Sequence, residues 1–207
     1  MKATDFDLSK QIQFDFETGI TTFKDNRLVI FDANAVGLLR QNLIEEFGIA
    51  QARKIFLQFG FQNGYADFMQ MKLNYEFDSE VELMASGPII HTWEGIVKSV
   101  LTHLEFDREK GEFFVAGWWH NTYEAEQHLS YNTESTEPVC WSVMGYASGW
   151  CTAFFGRPIL AIEITCKGKG DEDCYNEIKP VEAWDEEVAK PYLEAYSKFF
   201  ERIGHNG

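Results

Sequence analysis

Apolar residues arrive first in short runs and then at helical spacing. Residues 10–32 hold "IQFDF", "ITTF" and "RLVIF", separated by "ETG" and "KDN". Gly, Asp and Asn between apolar runs are turn chemistry, so the spacing predicts a small strand meander. "NAVGLLRQNLIEEFG" follows with Val36, Leu39, Leu43 and Phe47 on one helical face and Gly48 as a C-terminal stop, and "AQARKIFLQFGFQNGYADFMQMK" continues as a second helix. "KSVLTHLEFD" and "GEFFVAGWW" flank the turn "REKG" and predict a hairpin. After a helical "NTYEAEQHLS" and the loop "YNTESTEP" comes an uncharged stretch over 139–156, "VCWSVMGYASGWCTAFFG". It is apolar all round, the signature of a helix buried in a core, and Gly145 and Gly149 share one face of it where another element can approach closely. A strand, "PILAIEITC", closes this part. The tail "DEEVAKPYLEAYSKFFER" is amphipathic, with Val188, Tyr192, Tyr196 and Phe199 along one stripe and Pro191 marking a break or a fresh helix start.

Length and charge narrow the classes. A chain of 207 residues can bury one sizeable core, and no repeat or low-complexity linker divides it. Its 33 acidic against 18 basic residues give a formal charge of -15. That balance repels phosphate backbones and anionic headgroups, so neither direct nucleic-acid contact nor membrane attachment is expected. The opening residues carry charges throughout and lack the apolar centre of a secretory signal, which implies a cytoplasmic, reducing location where disulfides are disfavoured. No phosphate-binding loop of the G-x-x-x-x-G-K-[ST] type occurs.

The candidate chemistry lies in "EITCKGKGDEDC", Glu163 to Cys174. With Cys140 it forms the pattern C-x22-E-x2-C-x7-C. Thiolates and a carboxylate around a glycine-bearing turn suit a tetrahedral zinc ion held by Cys140, Glu163, Cys166 and Cys174, and four protein donors make such a site structural. Lys167, Lys169 and Arg157 are the cations expected to offset its negative charge. On spacing alone the alternative of unrelated buried thiols and a solvated acid stays open, since C-x7-C is not a usual finger spacing. Cys151, inside the apolar stretch, is expected in the core.

The block "EPVCWSVMGYASGWCTAFFGRPILAIEITCKGKGDEDCYNEIKPVEAWDEE" closely resembles the 4-vinyl-reductase-like part of the XylR/DmpR/MopR group of aromatic-sensing regulators. "GPIIHTWEGIVKS" and "WHNTYEAEQH" resemble the activator segment that precedes it in that group. The resemblance implies an N-terminal sensor domain of a sigma-54-dependent transcriptional activator, which binds an aromatic effector and controls the adjoining ATPase domain. It implies an α+β fold: one domain with antiparallel strands packed against helices, a zinc-stapled C-terminal lobe, and a homodimer. It also divides the chain into a meander for dimerisation (1–32), an effector-binding region (33–131), a zinc-binding region (132–180) and a linker helix (181–207). Carried over residue by residue, it assigns zinc to Cys140, Glu163, Cys166 and Cys174. The effector hydroxyl falls to His91 and Trp119, with Gly117, Trp93, Tyr146 and Trp150 completing the ligand-binding set. A neutral imidazole and an indole N–H supply one acceptor and one donor, as a buried phenol requires. Gly117 departs from the pattern, because phenol sensors are expected to carry a large aromatic there; its loss implies added room, which Trp150 can refill. Two other readings belong to different classes: a small metal-containing enzyme of the 4-vinyl-reductase-like type, and a scaffold or trafficking adaptor.

Overall fold

The first three runs pair as their turns require. In a computed structural model that describes residues 1–204, β1 (Ile12–Asp15), β2 (Ile20–Phe23) and β3 (Asn26–Leu28) form an antiparallel meander. β3 stops short of the expected "RLVIF" run, and Val29, Ile30 and Phe31 are exposed at 66–72%. Asp32 then caps α1 (Ala33–Phe47) by accepting from the Ala35 N–H at 2.8 Å. Gly48, at φ +80°, separates α1 from the long α2 (Ile49–Asn74). The inner face of α1 differs from the expected stripe: Val36, Gly37, Arg40, Leu43 and Ile44 face inward, while Leu39 and Phe47 are exposed. The apolar pattern misleads here because the most buried long side chain of this helix is an arginine.

Helix α3 (Glu80–Trp93) has no clear sequence signal, since Pro88 sits inside it. Proline cannot donate to the carbonyl four residues earlier, that of Met84. The Trp150 indole donates to that carbonyl instead, at 3.2 Å. The hairpin β4 (Lys98–Asp107) and β5 (Glu112–His120) follows, then α4 (Tyr123–Tyr131), α5 (Trp141–Phe155), β6 (Ile159–Thr165), β7 (Cys174–Pro180) and α6 (Glu186–Gly204). These last four strands make one antiparallel sheet in the order β4-β5-β7-β6. The result is the expected α+β domain.

The centre of the molecule is the contact between α2 and α5. Gly60 and Gly64 on α2 face Gly145 and Gly149 on α5, so each backbone rests on the other. A Cβ on Gly60 would lie 2.0 Å from the Ser142 carbonyl oxygen, and one on Gly149 would lie 2.0 Å from that of Phe61. Small residues four apart on both helices are what such a close approach demands. Almost every side chain of α5 is buried, and no helix among the described residues is long and apolar enough to cross a membrane.

α6 runs through Pro191 without a break. Proline is tolerated this early in a helix because few intrahelical bonds precede it. Ala189, Tyr192, Ala195 and Tyr196 are buried, and Phe61 of α2 packs against the rings of Tyr196 and Phe199 at 4.8 and 4.9 Å between centroids. Val188 is 46% exposed and does not join the stripe, which runs through Ala189 instead. The last three residues of the expected linker, 205–207, lie outside the described residues.

Candidate functional site

Two buried sites share the inner face of the large sheet. The first gathers donors from three elements: Cys140 immediately before α5, Glu163 and Cys166 at the end of β6, and Cys174 at the start of β7. Their ligand atoms all lie within 4.8 Å of one another, and every one of the four residues is buried. Gly168 makes the turn between Cys166 and Cys174 fit, since a Cβ there would sit 2.3 Å from a Val139 methyl. Gly170, at φ +89°, turns the chain back towards β7.

Three thiols and a carboxyl in an apolar interior invite a cation. Burial pushes the Cys140 thiol and the Glu163 carboxyl well above their ordinary values, since ionising either costs desolvation. Glu163 Oε1 is buried without a hydrogen-bond partner. A divalent ion satisfies both conditions, so this donor set can hold a metal. The expected counter-cations are not the ones that serve it. Arg157 pairs with Glu182 at the surface, and Lys169 pairs with Asp171 at 3.7 Å. Backbone N–H groups take that role: Val139 N donates to Cys166 Sγ at 3.5 Å, Lys167 N to Cys174 Sγ at 3.3 Å, and Cys140 N to Glu163 Oε2 at 3.3 Å. Short loops around a metal aim amides inward more readily than flexible lysines.

Sequence reasoning missed a second layer around this cluster. Arg40 is buried over the Trp141 ring at 3.8 Å and donates to the Val139 carbonyl at 3.3 Å. Glu124, fully buried on α4, accepts from Ser142 N, Ser142 Oγ and Val143 N at 2.7, 2.9 and 3.2 Å. It therefore caps α5 from a neighbouring helix, placing a carboxyl where the helix dipole favours one. Burial pushes that carboxyl up to about 7, against the pull of Arg40 and these donors.

The second site is a cavity of about 40 Å³ between α3, α5 and the sheet. His91, Trp119, Tyr146 and Trp150 line it together with Gly117, bringing five of the six expected ligand residues to one space. Trp93 is elsewhere: it is 46% exposed, and its indole donates to the Phe6 carbonyl at 3.2 Å. Two positions after His91 on a helix, its side chain leaves the face that His91 occupies. His91 packs on Tyr146, centroids 3.5 Å apart, and burial pulls its imidazole down to about 3, so the ring is neutral. Neither the His91 ring nitrogens nor Trp119 Nε1 has a protein partner among the described residues, whereas the Trp150 indole is committed to α3. Tyr146 keeps a buried hydroxyl without a partner.

Gly117 answers a different need from the one expected. A Cβ there would lie 2.5 Å from the Val100 carbonyl oxygen, because β4 bulges between Leu101 and His103 opposite it. The glycine permits a close strand approach, and it does not simply leave the space of a missing ring. Across the sheet, Trp119 pairs with the metal-site residue Cys174, and Asn176 pairs with both Gly117 and Glu163. The two sites are thus adjacent columns of one ladder.

Comparison with known proteins agrees with this architecture. Residues 7–107 match the family described as activator of aromatic catabolism, and residues 119–180 match the 4-vinyl-reductase-like domain. The chain is 32% identical over 180 residues to the phenol regulator MopR of Acinetobacter guillouiae, covering 86% of this chain and 32% of that protein. It is 31% identical over 192 residues to the transcriptional regulatory protein XylR of Pseudomonas putida, covering 93% of this chain and 33% of that protein. The chain therefore spans about a third of the length of these curated relatives. Among solved structures it resembles the phenol-responsive sensory domain of the transcription activator PoxR with phenol, with a TM-score of 0.86, 28% identity and 94% of each chain covered.

Proposed function

The chain belongs to the family of aromatic-effector sensor domains that join an activator-of-aromatic-catabolism segment to a 4-vinyl-reductase-like domain, and on that footing we propose that it senses a small phenolic or related aromatic compound in the cavity beside His91. Occupancy then controls the ATPase of a sigma-54-dependent activator. One observation carries this reading: a neutral imidazole and an indole, neither bonded to protein, face an otherwise apolar cavity. A phenol O–H needs one acceptor and one donor, and leaving either unmatched in a dry site is costly. Zinc is the ion proposed for Cys140, Glu163, Cys166 and Cys174, where it would fasten α5 to the sheet. With four protein donors the ion has no position left for substrate water, so the domain is read as a sensor without chemistry of its own. A reducing cytoplasm suits its unpaired thiols.

Calorimetry on the metal-loaded protein tests the site. Phenol and alkylphenols are expected to bind, His91→Ala to weaken binding about tenfold or more, and Trp119→Phe to cost about 1 kcal/mol. Because His91 stays neutral down to about 3, affinity should be the same at pH 7.5 and pH 5.5. A histidine of ordinary pKa would lose its acceptor role in that interval. Absence of binding by the folded protein, or binding indifferent to His91→Ala, would end this reading.

The meander supports a homodimer. Phe16 is 95% exposed and lies in the same N-terminal segment as Val29, Ile30 and Phe31, more apolar surface than a solitary domain usually leaves bare. Sedimentation should give twice the 23.9 kDa chain mass, and Phe16→Glu with Ile30→Glu should halve it.

A further inference from the structure

Asn176 is a polar residue among apolar neighbours. It sits on the inner face of β7, two residues from Ile178, and is buried to 3% exposure. Its Nδ2 donates to the Gly117 carbonyl at 2.8 Å, a contact that a side chain at position 117 would obstruct. That leaves Oδ1 without a donor among the described residues, on a side chain that lines the same cavity as His91 and Trp119. An amide buried in a strand interior is stable only when both of its halves are matched. A leucine or valine would fill the place at no such cost, so half of this amide is free for a bound molecule.

We infer that Asn176 is a specificity residue, and that the preferred effector carries a second hydrogen-bonding substituent, a hydroxyl or amino group, whose donor meets Asn176 Oδ1 while the first hydroxyl is held at His91 and Trp119. This rests on the effector-sensor reading above. The pairing of Gly117 with Asn176 replaces an apolar wall by an acceptor, and a site built around an unspent acceptor discriminates against a ligand that lacks the donor. The chemical class is a dihydroxy- or aminohydroxy-arene with small substituents, in preference to an alkylphenol of equal size.

The test compares near-isosteric pairs by calorimetry on the metal-loaded domain: catechol with 2-methylphenol, resorcinol with 3-methylphenol, hydroquinone with 4-methylphenol. At one ring position the hydroxyl is expected to bind about three- to tenfold tighter than the methyl. Asn176→Leu should erase that preference while phenol affinity stays within about twofold. Methyl equal to or better than hydroxyl at all three positions in the unaltered protein overturns the inference without any variant having to fold. A hydroxyl preference that survives Asn176→Leu overturns it as well. In both cases phenol still binds and the sensor reading stands; failure of every arene, phenol included, removes the sensor reading itself.

Discussion

Cys166→Ser is expected to abolish metal retention and to lower unfolding stability by at least about 4 kcal/mol, the largest loss anticipated for any single side chain. Structural zinc contributes about 10 kcal/mol or more in small domains that have little else to hold them. Here a substantial core remains, so part of the fold persists, but the lobe made by the start of α5, the end of β6 and the start of β7 loses its only cross-link. The variant also leaves two thiols and a carboxyl buried without a cation, which adds desolvation cost to the missing bond. Urea titration with elemental analysis of the purified protein measures both effects. Cys151→Ser is the control. That thiol is buried on α5 outside the cluster, so metal content should stay at one ion per chain. A denaturation midpoint unchanged by strong chelator would show that no ion supports the lobe.

Gly60→Ala and Gly149→Ala should each cost about 3 kcal/mol or more, although each adds a single methyl. The new Cβ would sit 2.0 Å from a backbone carbonyl oxygen of the facing helix, and backbone cannot swing aside as a side chain can. The helices must separate along their contact, giving up packing far beyond the altered residue. Gly156→Ala provides the scale. It replaces a left-handed cap at φ +80° with nothing within 4 Å, so only conformational strain applies, about 1 kcal/mol. Thermal or urea unfolding of the three variants should rank them accordingly, and equal losses would contradict a backbone-on-backbone contact.

Much of this was legible in the chain because the relevant patterns are local. Turn residues marked the meander and the hairpin, uniform apolarity marked α5, and the spacing of Gly145 and Gly149 marked its contact face. The matching pair on α2, Gly60 and Gly64, was hidden in a helix whose apolar residues lie on several sides. Helix α3 escaped notice because Pro88 argues against a helix, and only the distant Trp150 supplies the missing donor. The four metal-site residues could be picked out by type, yet their counter-charges could not, since those are backbone amides. Arg40, Glu124 and Asn176 read as ordinary surface residues in one dimension. Each is buried because long-range pairing delivers a partner: an aromatic face, a helix N-terminus, a strand carbonyl.

The glycine contact between α2 and α5 also decides which wall of the cavity can yield. A cavity that accepts benzene measures about 150 Å³, several times the volume enclosed beside His91. Two backbones locked groove to groove cannot spread without forfeiting the whole seam, so the α5 side is an anvil. Room for an arene must come from the proline-bearing α3 swinging on its hinge, and the motion that admits a guest is thereby steered towards the segment running from Met84 to His91.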